Sequence, residues 1–381
     1  MGYILDDTGN MLVKLTKNFM ENEVAPYVAE LDKNHEFPLD LYKKAFDIGL
    51  HTIEIPTEFG GSGLPYTTVC AILEEIGKVD AGFAVTMMSL SLALKPILLF
   101  GSKEQKQWAA EKIIPNGGFA AFALTEPDAG SDAGAVKTTA VKDGDEYILN
   151  GSKCFITSSS YADIYTVFAN VDLSKGLKGL SAFIVEKGTP GLTLGKPEDK
   201  MGIRLSNTCS ITLDDVRIPA ANLIGKEGQG FKIAMETLNL ARPLTAAVAV
   251  AIGQRAIEEA ISYAKQRIAF GKPIIKNQAI SFKLADMETR VQTARTMVAH
   301  SMELYQRHDP YIKEAAIAKT YAGEVAVANA LDAIQILGGY GYTADYPVEK
   351  LLRDAKIFEI FEGTTEIQKI TIADRMIKEY K

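Results

Sequence analysis

The chain has 381 residues, 47% of them hydrophobic and 23% charged, and its 41 Lys and Arg against 48 Asp and Glu leave a formal net charge of −7. At about 100–200 residues per domain this length gives two or three domains, and such a chain buries roughly three-quarters of its unfolded surface without needing a disulfide or structural metal. The acidic balance, without a long Lys/Arg cluster, speaks against nucleic acid as the main partner, and the scattered Cys70, Cys154 and Cys209 and His35, His51, His300 and His308 have no metal-ligand spacing.

From the amino end, Met1 to Asp7 is acidic where a secretory signal would be basic. Leu12, Leu15, Phe19 and Val24 then follow the helical period, as do Leu41, Ala45 and Ile48 after Pro38, while Ser102 and Gln105 form a capping box. The glycines of Phe59 to Gly63 make a turn, lacking the strand and the spacing of a phosphate-gripping fingerprint. Leu90 to Phe100, interrupted by Lys95-Pro96, is too short to span a bilayer, so no membrane insertion and a cytoplasmic location are expected.

From about Gly118 the period shortens. Tyr147 to Leu149, Phe155 to Thr157, Ser181 to Val185 and Ser210 to Leu213 are β-prone runs, separated by the turn dipeptides Asp143-Gly144 and Asn150-Gly151 and by Thr189-Pro190-Gly191. They predict a compact all-β unit, a small barrel or sandwich. After Gly230 long helical patterns return: Pro243 to about Arg267, with Pro243 starting or kinking a helix, Gln278 to about His308, and Tyr311 to Leu337, closed by Gly338-Gly339. Pro347 opens another helix and Thr364 or Thr365 caps the last, with Thr365 and Gln368 in capping-box register. Expected domains are 1–117 (helical), 118–228 (β) and 229–381 (helical bundle). Segregation of this kind makes an α+β multidomain chain and excludes a doubly wound nucleotide fold.

With no metal-ligand spacing or nucleophile triad, a bound organic cofactor becomes the natural suspect. Phe122-Ala-Leu-Thr-Glu-Pro-Asp-Ala-Gly-Ser-Asp132 resembles the first signature of the acyl-CoA dehydrogenases. Gln335 to Tyr342, Arg353 to Lys356 and Phe361-Glu-Gly-Thr-Thr-Glu-Ile-Gln368 resemble the second, and the likeness covers essentially the whole chain. The resemblance implies an N-terminal all-α domain, a middle β-barrel and a C-terminal four-helix bundle, and a butyryl-CoA dehydrogenase-like flavoenzyme with FAD between the β domain and the carboxyl-terminal helices. It implies α-proton removal by a base, hydride transfer to the flavin, acyl-CoA as substrate, an electron-transfer flavoprotein as acceptor and a homotetramer built as a dimer of dimers.

By the same resemblance Glu362 is the base. Some relatives take their base from another helix, but Leu238-Asn-Leu-Ala-Arg242 has Ala241 there, which cannot serve. The helix dipole would lower the pKa of Glu362 and burial would raise it, and the sequence leaves the outcome open. The family pattern puts Leu124 and Thr125 near the flavin's pyrimidine edge, Ser131 by the pyrophosphate and substrate, and Thr157 at the hydride-accepting nitrogen, with Phe155 where many relatives carry Trp. It places Arg267, Phe270, Gln278, Gln335, Gly338 and Gly339 on the cofactor of a neighbouring subunit, adds Thr364 and Glu366 as cofactor contacts, and gives Asn239, Arg242, Phe361 and Gly363 to the substrate. Phe83 to Leu94, which walls the acyl pocket in relatives, holds no Arg or carboxylate, against a dicarboxylic substrate. A short, medium, branched or alicyclic acyl chain remains. Alternatives on the same fold are an enoyl-CoA reductase, an acyl-CoA oxidase and, remotely, a DNA-binding relative of weak activity.

Overall fold

A computed structural model describes residues 2–115 and 117–380; Met1 of the acidic amino-terminal stretch lies outside them, as do Asn116 and Lys381. Helices α1 (Asp7–Phe19), α2 (Val28–Asn34), α3 (Leu39–Asp47), α4 (Tyr66–Val79), α5 (Ala81–Phe100) and α6 (Lys103–Ile113) come first. The Ser102 and Gln105 box opens α6 as expected: the Gln105 N–H donates to Ser102 Oγ at 3.2 Å and the Ser102 N–H to Gln105 Oε1 at 3.0 Å.

The apolar stretch is longer than the sequence reading allows. Lys95 and Pro96 lie inside α5, whose 20 residues are long and apolar enough to cross a membrane, yet 78% of that window is buried within the protein. Lys95 does not interrupt the helix because it has an ion-pair partner in the interior. All-round hydrophobicity here marks a core helix.

Strands β1 (Phe119–Ala123), β2 (Thr139–Asp143), β3 (Glu146–Thr157), β4 (Ala162–Asn170), β5 (Leu180–Glu186), β6 (Leu192–Leu194), β7 (Thr208–Pro219) and β8 (Leu223–Ile224) form one sheet in the order β6-β7-β3-β2-β4-β5-β8, with β1 parallel to β4. Asp143 pairs with Glu146 across a two-residue hairpin. Asn150-Gly151 is no turn: it lies inside β3, where the pairing with β7 shifts register. A Cβ on Gly151 would stand 2.4 Å from Thr138 Oγ1, so this glycine marks a bulge where two strands approach. The Tyr147 and Phe183 rings touch at 5.0 Å although β2 and β4 separate their strands, which requires the sheet to curl around its own core. The opposite face packs Ile164, Phe168 and Ala182 against α5, α6 and α7 residues such as Leu94, Ile113 and Ile233.

Helix α7 (Gly230–Gln266) follows, then the hairpin of β9 (Ile268–Ala269) and β10 (Lys272–Pro273), then α8 (Gln278–Gln306), α9 (Ile312–Leu337), α10 (Val348–Ala355) and α11 (Thr365–Glu379). Pro243 neither starts nor ends a helix, since α7 begins at Gly230 and runs through it, with the buried surroundings of residues 240 to 253 holding it. The box at Thr365 and Gln368 does not form. Thr364 is the cap, its Oγ1 accepting from the Ile367 N–H at 3.3 Å, and Gln368 turns to other partners. Val248 and Ile252 of α7 share a core with Val291 and Val298 of α8, Val325 of α9, Ile72 of α4 and Phe83 of α5. Thus α5, α7 and α9 converge on the turn before α11, and that convergence positions the site.

Candidate active site

Phe358 is buried and its ring meets that of Phe361 edge-on at 5.1 Å, which anchors the chain as it leaves α10. Two left-handed residues follow, Glu362 at φ 53° and Gly363 at φ 93°. A left-handed glutamate is strained by about 1–3 kcal/mol and persists only where its surroundings enforce it. Here Gln368 Nε2 donates to both carbonyls, each at 3.1 Å, and Lys319 Nζ donates to the Gly363 carbonyl at 2.6 Å. The Gln368 placed by sequence in a helix cap is thus the brace of this bend. Among the described residues the N–H of Glu362 has no intramolecular partner.

The bend points the Glu362 side chain inward, where Thr245 Oγ1 of α7 donates to its Oε2 at 2.8 Å. The same hydroxyl touches Met88 Sδ of α5 at 3.4 Å. Glu362 as a residue is half-buried, but so much protein surrounds its carboxyl that burial decides its acidity. Its pKa is pushed up to about 7, against the pull of the Thr245 bond and of the cations Lys319, Lys95 and Arg242. Burial therefore outweighs the hydrogen bond and the neighbouring cations together. It also acts on the neighbours: Lys319 falls to about 8 and Arg242 to about 10. Arg242 Nη1 donates to Asn239 Oδ1 at 2.7 Å, and its buried Nε has no partner among the described residues.

Thr245, Lys319 and Lys95 escaped the sequence reading. Each is an unremarkable residue in a helical pattern, and Thr245 meets Glu362 across 117 positions. Thr245→Val is expected to move the acid limb of kcat/KM upward by about one pH unit, because the lost bond favours the ionised carboxylate. An unchanged limb in a pH–rate profile would refute that role.

The remaining candidates form two other groups. On the β unit, Leu124 is buried and Thr125 and Thr157 are half-buried, with the Cys154 N–H donating to the Thr125 carbonyl at 3.0 Å and buried Lys153 donating to the Leu124 carbonyl at 3.1 Å and to Glu126 Oε1 at 2.7 Å. Ser131 is exposed on the following loop, and Phe155 stands 67% exposed at φ 57°. The third group lies along the far ends of α7, α8 and α9. Arg267, Gly338 and Gly339 share a cavity of about 520 Å³, and Arg267 stacks 5.8 Å from the Tyr340 ring. Gln335 and Gln278 are exposed on α9 and α8, and Phe270 is 99% exposed on the β9-β10 hairpin. Thr364 and Glu366 stay with the Glu362 bend. No hydrogen bond joins the third group to Glu362 among the described residues.

Comparison with known proteins matches the N-terminal domain of acyl-CoA dehydrogenase to residues 6–115, the middle domain to 121–216 and the C-terminal domain to 228–377. An acyl-CoA dehydrogenase of Bacillus subtilis (strain 168) is 47% identical over 368 residues, covering 96% of this chain and 97% of its own. Butyryl-CoA dehydrogenase from Megasphaera elsdenii superposes with a TM-score of 0.96 at 43% identity, covering 99% of this chain and 100% of its own. A chain in the structure described as electron transferring flavoprotein of Acidaminococcus fermentans, towards a mechanism of flavin-based electron bifurcation, gives 0.96 at 45% identity with the same coverage.

Proposed function

The chain belongs to the acyl-CoA dehydrogenase family and catalyses FAD-dependent dehydrogenation of acyl-CoA, and we propose that Glu362 is its α-proton base. One observation carries this assignment: a carboxyl with a pKa of about 7 held on a braced left-handed bend. A C–H beside a thioester is a weak acid, so a base poised near neutral pH is both substantially ionised and strong enough to take the proton. As the proton leaves, charge moves onto the thioester oxygen, and the unpartnered N–H of Glu362 is the donor that can meet it. Arg242 and Asn239 lie about one and two turns from Thr245 along α7 toward its start and are proposed to bind the CoA portion, with Phe361, Gly363 and Ser131 beside the acyl thioester.

The residues present fit FAD. The cavity at Arg267 is open beside Gly338 and Gly339, where a Cβ would find nothing within 4 Å, so a ligand can approach the backbone, and the arginine fork suits phosphate. Phe155 presents an exposed aromatic face on a strained strand position, as expected of a ring covered by a flat partner. Leu124, Thr125, Ser131, Phe155 and Thr157 would hold the flavin half, and Arg267, Phe270, Gln278, Gln335, Gly338 and Gly339 the adenosine diphosphate half, with Thr364 and Glu366 beside the bend. When bound there, FAD would supply the acceptor for the hydride of the β-carbon. The near-complete exposure of Phe270 and the exposure of Ile370, Met376 and Ile377 on α11 support a homotetramer in which these surfaces are covered. The likeness to the Acidaminococcus fermentans chain supports an electron-transfer flavoprotein as acceptor, and a cytoplasmic location is part of the same proposal.

The test is anaerobic titration of the purified yellow protein with acyl-CoAs of straight, branched, cyclic and dicarboxylic type. Bleaching by a monocarboxylic acyl-CoA is the expected result, with kcat/KM rising tenfold per pH unit up to a midpoint near 7, where Glu362 ionises. A colourless protein that takes up no flavin would overturn the reading, and rapid peroxide formation in air would make it an oxidase.

A further inference from the structure

We infer that the buried Glu54–Lys95 ion pair is the floor of the acyl pocket and restricts the substrate to short acyl chains, an inference that rests on the acyl-CoA reading of the site. Met88, Ser91 and Lys95 occupy positions i, i+3 and i+7 of α5, one face of the helix. Met88 marks the catalytic end, since Thr245 bridges its sulfur to Glu362. Ser91 is the one residue from Ala81 to Ile97 that is not buried, so the helix opens onto space between Met88 and Lys95. A helical lysine leans toward the amino end of its helix. Lys95 does so, with Nζ donating to Ser91 Oγ and, at 2.5 Å, to Glu54 Oε2. The ammonium thus lies about one turn, roughly 5 Å, beyond the level of Met88, near enough that its charge favours the ionised form of Glu362.

The pair is a wall and not a receptor. Lys95 spends its donors on a carboxylate and a hydroxyl, and the Tyr66 ring lies 5.7 Å from its nitrogen. Only 3% of the Lys95 side chain and 7% of that of Glu54 are exposed. A tail pushed through would separate two buried charges, which costs far more than burying a few methylenes returns. The depth from Met88 to the floor is about 5–10 Å along the helix, of which about 4 Å is contact distance. At about 1.2 Å per bond of extended chain, one to five bonds fit beyond the carbon facing Glu362. Butyryl and hexanoyl chains fit; octanoyl does not. A void of about 20 Å³ lies against Glu54 and Ser91, walled by Met87, Leu94 and Leu98.

The experiment measures kcat/KM of the flavin-loaded enzyme for butyryl- and octanoyl-CoA, in wild type and in the double variant Glu54→Leu with Lys95→Met, which removes both charges together and leaves none unpaired. Each accommodated methylene is worth about fourfold, so the two that reach past the wild-type floor should raise the octanoyl-to-butyryl ratio of the double variant by roughly 15-fold. A folded, yellow double variant with the wild-type ratio overturns the inference. So does a wild type that uses octanoyl-CoA as well as butyryl-CoA, a measurement that needs no variant. Failure of every acyl-CoA to bleach the wild type would remove the acyl-CoA reading, and the floor with it.

Discussion

Glu362→Gln is expected to lower kcat by roughly 10²–10⁴-fold, the worth of a positioned general base, while raising the thermal stability of the ligand-free protein at pH 8. The second half follows from the same burial as the first. The folded carboxyl titrates near 7 where the unfolded one titrates near 4.5. Between those values the folded state binds more protons than the unfolded state, so this group's contribution to stability falls as pH rises through that window. Above pH 7 the loss is complete, on the order of 3 kcal/mol. A neutral amide escapes that loss and still offers an oxygen to Thr245. At about 2 °C per kcal/mol the variant should melt several degrees above wild type at pH 8, and the difference should vanish below pH 4.5, where both side chains are neutral. Turnover at the wild-type rate in a yellow, acyl-CoA-binding variant would end the assignment. Equal melting at pH 8 would show that the carboxyl is not held against its own ionisation.

Lys350→Met should cost the fold about 3–5 kcal/mol, the penalty for leaving a buried charge without its partner. Lys350 of α10 donates to Asp80 Oδ2 at 2.6 Å and to Asp354 Oδ2 at 2.5 Å. All three side chains are buried. Asp80 caps α5 through the Phe83 N–H at 2.6 Å, and Asp354 accepts from the Ile203 N–H, also at 2.6 Å. One ammonium therefore joins the start of α5, α10 and the segment ahead of β7. Its removal leaves two carboxylates facing each other away from water. A urea titration reads the effect, and adding Asp354→Asn should recover part of it by deleting one orphaned charge. An unchanged midpoint in Lys350→Met would refute the account.

Much of this architecture is legible in the sequence because local signals agree with it: the Ser102 box, the Asp143-Gly144 hairpin and the glycines that close α9. The misreadings share one cause. Lys95-Pro96 and Asn150-Gly151 look like breaks and Pro243 like a possible helix start, and each of these readings is overridden by partners distant in the chain: Glu54 for Lys95, the packed neighbours of α7 for Pro243, and Thr138 beside Gly151. The site divides the same way. Glu362 was visible because a long signature carries it. Thr245, Lys319 and the Glu54–Lys95 pair were not, because nothing in a helical heptad distinguishes a threonine or lysine that faces a carboxylate from one that faces solvent.

The bend at Glu362 and Gly363 has already committed both of its oxygens, to Gln368 and Lys319. Those two peptide units cannot swing round to present a carbonyl to an incoming ligand. The electric field they cast on the pocket is fixed in direction when the chain folds, so the solvent rearrangement that accompanies enolisation in water has no counterpart here.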